Sequence, residues 1–489
     1  MTSTNLLSKP TTSAVARPSR SAPRRWIALP IILSGTFMVT LDFFIVNVAL
    51  PSLQQQLHAG TGAIQFIVAG YGLALAAGLI TAGRLGDLYG RRRLFALGLA
   101  LFILTSLACG LAPTSAVLVL ARVAQGIAAA LLSPQVLAIL GIVYTGDDRA
   151  RAFTAYGLVL GIAAVSGQLI GGVLIQANVA GLGWRACFLI NVPIGVAALL
   201  LTPRYLPAAR SENGKHRGQL DLIGATLVTL GLLAIVFPLI EGRVLGWPLW
   251  IWLCLVASAP LLLAFVAYQR WLSARGRTPL LDLALFSERT FSIGLVTTLA
   301  FFGGMASFFL VLALYLQQGR GLSALGAGTT FSVLGLGYLV ASLYAPRLAR
   351  RLGRLSLTIG ALVMALGLVL LQVTIVDIGV SGPLVLLAPG LLLDGLGMGL
   401  VLAPLSSLVL AGLAPQHAGA AAGVLATMQQ VANALGVAII GIIFYSAIAH
   451  TSRLSAYSQA FGASLIYLIA LALAVSALLQ LLPRGQGSK

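Results

Sequence analysis

Fourteen stretches of this 489-residue chain are apolar over 18 residues or more: 26–50, 62–82, 94–112, 115–140, 152–175, 186–203, 220–240, 249–269, 292–316, 326–346, 356–376, 384–412, 418–447 and 460–482. A hydrocarbon core about 30 Å thick is crossed by roughly 20 residues of α-helix. Backbone polar groups in lipid must be bonded within their own segment, so each stretch predicts a transmembrane helix. Barrel strands would alternate apolar and polar residues, and these runs do not. Charged residues make up 8% of the chain, against about 25% in soluble proteins. A soluble domain is excluded, and the fold class is an all-α polytopic membrane protein with 14 transmembrane helices.

The charge distribution sets the orientation. A net charge of +19 would suggest nucleic acid in a soluble protein, but here the basic residues sit in short segments between apolar runs. With the N-terminus inside, 25 of the 30 Lys and Arg fall in cytoplasmic segments and four outside, at Arg185, Arg243, Arg320 and Arg453. Basic residues concentrate on the cytoplasmic side of membrane proteins. The expectation is therefore a multi-pass protein of the cell (plasma or inner) membrane, with both termini cytoplasmic and no nucleic-acid partner. Residues 1–25, rich in Ser, Thr, Pro, Ala and Arg, read as a disordered cytoplasmic tail without a cleavable signal. Cys109, Cys187 and Cys254 lie in apolar segments and have no metal-ligand spacing.

One internal repeat is visible. Gly83-Arg84-Leu85-Gly86-Asp87-Leu88-Tyr89-Gly90-Arg91 follows span 2, and Pro346-Arg347-Leu348-Ala349-Arg350-Arg351-Leu352-Gly353-Arg354 follows span 10. Both read as cytoplasmic loops. The spacing predicts an N-terminal six-helix bundle (26–205), a linker with two extra helices (206–275), a C-terminal six-helix bundle (276–483) and a cytoplasmic tail (484–489). Parallel repeats of this kind are a known transporter plan.

Three ionisable residues stand clearly inside spans: Asp42, Arg122 and Asp394. A charge at the bilayer centre is costly, and such residues usually face the bundle interior and mark function. At 1.5 Å of rise per residue, Asp42 lies ~13 Å, Arg122 ~10 Å and Asp394 ~15 Å below the outer surface. Equal depth suggests one shared polar cavity, with Asp42 and Arg122 as partners. Desolvation favours a neutral carboxyl and a nearby guanidinium favours the ion, so opening such a cavity, or moving the arginine, would load or release a proton. A structural ion pair is the competing reading. Asn47, Gln125, Gln168, Gln429, Gln430 and Asn433 are amides within spans and are candidates for lining a substrate cavity. His58, His216, His417 and His450 lie near span ends, away from any central relay.

Several of these segments resemble a known family. Gly83 to Arg93 is similar to the signature between spans 2 and 3 of the major facilitator superfamily. Leu120-Ala121-Arg122-Val123-Ala124-Gln125-Gly126 resembles that family's span 4 motif, whose arginine is associated with proton transfer. Leu41-Asp42 with Asn47-Val48-Ala49-Leu50-Pro51, and Trp184-Arg185 with Phe188 to Gly195, resemble signatures of fourteen-span drug:proton antiporters of the EmrB/QacA type. Span 5 departs from the pattern, carrying Gln168 where the antiporter motif has proline. The resemblance implies a major facilitator fold and a latch at Gly83, Arg84, Gly86, Asp87, Gly90 and Arg91. In that latch Asp87 would meet an arginine and a helix N-terminus of the opposite half, near Ala418 to Ala420.

The function expected is proton-driven efflux of small amphipathic or cationic drugs by alternating access, which would confer multidrug and antibiotic resistance. The alternative is a dedicated proton-coupled exporter of one antibiotic or metabolite. No nucleophile constellation, metal cluster or Walker-type loop is present in the sequence. The expectation is a secondary active transporter rather than an enzyme. It would need no cofactor and draw its energy from the proton gradient. It would act as a monomer whose partners are the small-molecule substrate, protons and the lipid bilayer.

Overall fold

The computed structural model describes residues 22–144, 147–206, 221–242, 245–277, 279–281, 283–410, 418–449 and 455–482. The helices are α1 (Ala22–Gln56), α2 (Thr61–Tyr89), α3 (Arg91–Gly110), α4 (Ser115–Val143), α5 (Asp147–Ala177), α6 (Ala186–Leu189), α7 (Asn191–Tyr205), α8 (Leu222–Glu241), α9 (Leu249–Ala274), α10 (Arg289–Leu314), α11 (Ala324–Leu352), α12 (Arg354–Ile378), α13 (Ala388–Leu410), α14 (Ala418–Ala449) and α15 (Ser455–Leu481). Ile190 keeps helical angles (φ −59°, ψ −28°), so α6 and α7 form one span. A wide turn at Tyr315–Gly319 prolongs α10. Fourteen helices among the described residues are long and apolar enough to cross a membrane.

The helices outrun the apolar stretches that announce them. Residues 83–89, expected in a loop, are the last two turns of α2, and residues 346–352 end α11 in the same way. The hydrogen-bond ladder of a helix continues past the apolar zone until the backbone turns away, which happens at Gly90 (φ 96°) and Gly353 (φ 56°). These are backbone conformations that glycine reaches without a Cβ penalty. Residues 22–25, assigned above to the tail, are the first turn of α1. Arg25 pairs with Asp148 at 3.1 Å, and its carbonyl accepts from the Tyr144 hydroxyl at 2.5 Å. Burial pushes that hydroxyl up to about 12, so it stays a donor. Residues 1–21 and 483–489 lie outside the described residues.

The two halves use the same pairings. In the first, α1 packs on α5, α4 on α2 and α3, and α7 on α1 and α3; in the second, α10 packs on α14, α13 on α11 and α12, and α15 on α10 and α12. The correspondence extends to single residues. Gly126 of α4 lies against the Tyr71 carbonyl and Leu75 amide of α2; Gly395 of α13 lies against the Leu334 carbonyl and Tyr338 amide of α11. A shift of 263 residues carries Tyr71 to Leu334, Leu75 to Tyr338 and Gly90 to Gly353, and a shift of 269 carries Gly126 to Gly395. The same two shifts take the Gly78–Ala130 approach to Ala341–Gly399. Glycine at these crossings lets backbones meet, the usual device where no hydrophobic force drives helices together.

The halves join along α5–α11 and α2–α14. Gly172 meets the Ala324 carbonyl and Gly161 meets Tyr338; Gln65 reaches Gly441, and Gly72 faces the Gln430 carbonyl. Gln318 donates to Gln54 at 3.0 Å, and the Phe44 ring meets Phe309 in a tilted contact, centroids 4.9 Å apart. These pairs run from the face opposite the N-terminus to about mid-depth. The pair α8–α9 packs beside the α2–α14 seam, and α9 leaves Leu249, Val256 and Leu263 exposed. The fold is thus two six-helix bundles with two peripheral helices.

Candidate functional site

Asp42 on α1 and Arg122 on α4 are both fully buried and form an ion pair through Oδ2 and Nη1. Removing two charges from water costs more than their attraction returns unless further hydrogen bonds complete the site. Those bonds are present. Arg122 Nε donates to the Ile67 carbonyl at 2.9 Å and Nη1 to Gln125 Oε1 at 2.8 Å. Gln125 Nε2 donates to Asp42 Oδ1 at 3.0 Å and to Ser106 Oγ at 2.8 Å. Asn191 Nδ2 donates to Asp42 Oδ1 at 2.9 Å. The guanidinium lies over the Tyr71 ring, 4.2 Å from its centroid, a favourable placement for a desolvated cation. Tyr71 is itself anchored, donating to the Val39 carbonyl at 3.0 Å.

Five helices therefore contribute to one network around the ion pair, with α4 and α7 bonding the Asp42 carboxylate directly. Helical spacing explains why α4 contributes twice, since Arg122 and Gln125 stand three residues apart on one face. Ser106 and Tyr71 are not among the residues singled out from sequence, and Asn191 entered there only within the Phe188 to Gly195 signature, without a role. They are ordinary polar residues in apolar spans, and only the crossing of α2, α3 and α7 brings them to Asp42. Arg122 Nη2 and Asn191 Oδ1 find no partner among the described residues, so the network keeps bonding capacity in reserve.

Asp394 does not join this cluster. It is fully buried on α13 in a small pocket whose walls include Phe301, Met305 and Phe308 of α10, Met364 of α12, Leu468 of α15 and Met398 of α13 itself. Neither carboxyl oxygen has a hydrogen-bond partner among the described residues. Equal depth along the membrane normal does not imply a shared cavity, because the two sites belong to different bundles.

The amides disperse. Gln125 is part of the Asp42 network. Asn47 is buried beside it in sequence with Oδ1 unpartnered. Gln168 donates to the Phe44 carbonyl at 3.0 Å, while its own carbonyl faces Gly328 across the α5–α11 seam. With glutamine in place of proline, α5 runs unbroken, and Gly167 and Gly171 bring it onto α1 at Leu41 and Ile45. Gln429 meets Ser406 at 3.4 Å, and Asn433 donates to Gln430 at 3.3 Å on the α14 face that meets Gly72.

Of the latch residues, Gly83 and Gly86 pack on Pro134 and Gln135 of α4, and Gln135 donates to the Ala82 carbonyl at 2.8 Å. Gly90 supplies the positive φ, and Arg91 opens α3. The side chains of Arg84 and Asp87 lie outside the described residues. Among the described residues no group of three or more His, Cys, Asp or Glu is placed to hold a metal.

This geometry can be set beside known proteins. A profile of the Major Facilitator Superfamily matches residues 32–437. The chain is 38% identical over 423 residues to a probable actinorhodin transporter of Streptomyces coelicolor, covering 86% of this chain and 73% of that protein. It is 32% identical over 416 residues to the multidrug resistance protein Stp of Mycobacterium tuberculosis, covering 84% and 74%. The solved structure of the xylose transporter XylE from E. coli, in a partially occluded inward-open conformation, aligns with a TM-score of 0.66 at 13% identity, covering 96% of this chain and all of that one. The shared pairing of helices in two bundles, the profile match and the relatives agree that this chain is a transporter belonging to the major facilitator superfamily.

Proposed function

We propose that the chain exports a small amphipathic compound from the cytoplasm in exchange for protons, by alternating access. The observation that carries this reading is the buried Asp42–Arg122 pair with its donors Gln125 and Asn191. A carboxylate held by a movable cation in a water-free site can exchange that cation for a proton, which is how a conformational change is linked to proton uptake. The contacts between halves from Gln54–Gln318 inward support a conformation shut on the face opposite the termini. With both termini cytoplasmic, that conformation would admit substrate from the cytoplasm.

Efflux is supported by the relatives, one described as a probable actinorhodin transporter and one as a multidrug resistance protein. The higher identity to the former supports the second reading, a dedicated exporter of one antibiotic. The apolar seam of Phe43, Phe44 and Phe309 between the halves suits many ligands and supports the broader one. Efflux of unrelated dyes from a pump-deficient strain, with and without a protonophore, decides between them. Many dyes moved in a protonophore-sensitive way means multidrug antiport. Export of a single antibiotic alone means the dedicated carrier, and export that ignores the protonophore refutes proton drive.

A further inference from the structure

We propose that Asp394 is a second proton-binding site, independent of Asp42 and Arg122, so that each bundle carries one proton. The shift of 269 residues that superposes Gly126 on Gly395 places Asp394 at the position of Gln125 and Leu391 at that of Arg122. Helix α10, the counterpart of α1, presents Phe301, Met305 and Phe308 toward the pocket, whereas α1 presents Asp42 to its own. The N-terminal bundle thus supplies its carboxylate with a built-in cation, and among the described residues the C-terminal bundle does not.

The carboxyl is fully buried, and both of its oxygens lack a partner among the described residues. Among those residues, α10, α12 and α15 turn no titratable group toward it; Tyr338 of α11, whose backbone amide meets Gly395, turns its ring and hydroxyl to Gly161 of α5. An ionised carboxylate in such a place is prohibitively costly, and the group neutralises by taking up a cation. In this conformation the remaining space admits about one water molecule, too little for an organic cation or a hydrated metal ion. A proton fits. In the cycle the O–H bond forms when water reaches the pocket in one conformation and breaks, with the proton passing to water, in the other. This deepens the proton-driven reading and rests on it only for the coupling step.

Infrared spectroscopy of the full-length protein in lipid tests the site directly. The wild-type spectrum at neutral pH should contain a protonated-carboxyl carbonyl band that survives Asp42→Asn and disappears in Asp394→Asn. An undiminished band in Asp394→Asn overturns the proposal. Asp394→Glu, which keeps the carboxyl, should retain a band at a shifted frequency and guards against a folding artefact. In vesicles, with ethidium as the probe, protons exchanged per dye should fall from two in the wild type to one in Asp394→Asn; an unchanged ratio overturns the second-proton assignment. Dye export by the wild type with no proton flux would instead refute proton drive, and would leave the infrared result standing.

Discussion

Asn191 donates a hydrogen bond to Asp42 at 2.9 Å across 149 positions of sequence, tying the sixth span to the first at the buried carboxylate. Such a bond to a charged group contributes about 1.5–3 kcal/mol. Asn191→Leu should lower thermal stability in detergent by about that amount and weaken pH-driven export, while Asn191→Asp should be worse, because it sets a second acid against the first. Unchanged melting and export in Asn191→Leu would show that the bond is dispensable.

Asp42→Asn should weaken uphill export driven by a pH gradient to what the one proton on Asp394 can drive. An amide keeps the shape of the carboxyl and cannot titrate, so downhill exchange of substrate should persist. Paired counterflow and gradient-driven assays in reconstituted vesicles separate the two. If Asp42→Asn still concentrates substrate and Asp394→Asn does not, coupling lies in the C-terminal bundle.

Arg122→Ala leaves Asp42 without its cation and should cost about 3–5 kcal/mol of stability, the range for breaking a buried pair. Arg122→Lys should recover part of it. Lysine restores the charge but cannot make the bonds to Asp42, Gln125 and the Ile67 carbonyl at once. Thermal unfolding of the two variants beside the wild type checks the order.

Gln54 and Gln318 meet across the two bundles at 3.0 Å. In a variant with the three native cysteines replaced, Gln54→Cys with Gln318→Cys should crosslink under mild oxidation and stop transport, and reductant should restore it. Transport by the crosslinked protein would mean that this face does not open in the cycle.

Asp87→Asn should preserve folding and insertion but slow turnover several-fold at matched expression, because the end of α2 loses its one carboxylate. Wild-type rates in that variant would dismiss the latch. Reporters at Ser19 and Gly485 should both read cytoplasm, and one at Gly246 outside; an external C-terminus would contradict the orientation.

Hydropathy alone determined the fourteen spans, because each helix in lipid must satisfy its own backbone and so announces itself locally. The repeat of Gly83 to Arg91 in Pro346 to Arg354 exposed the two bundles, and its spacing is the same 263-residue shift that relates α2 to α11. The isolation of Asp42 and Arg122 in apolar runs singled them out. What the sequence could not say was which helices cross. The shift grows to 269 by α4 and α13, so only the packed glycines Gly126 and Gly395 equate Asp394 with Gln125. Ser106, Tyr71 and Asn191 gain their meaning from α2, α3 and α7 converging on α1, and Asp394 is kept from them by lying in the other bundle. Depth along a helix is written in the chain one residue at a time, whereas the rotation and partner of each helix are set by side chains far away in sequence, and those decided the site.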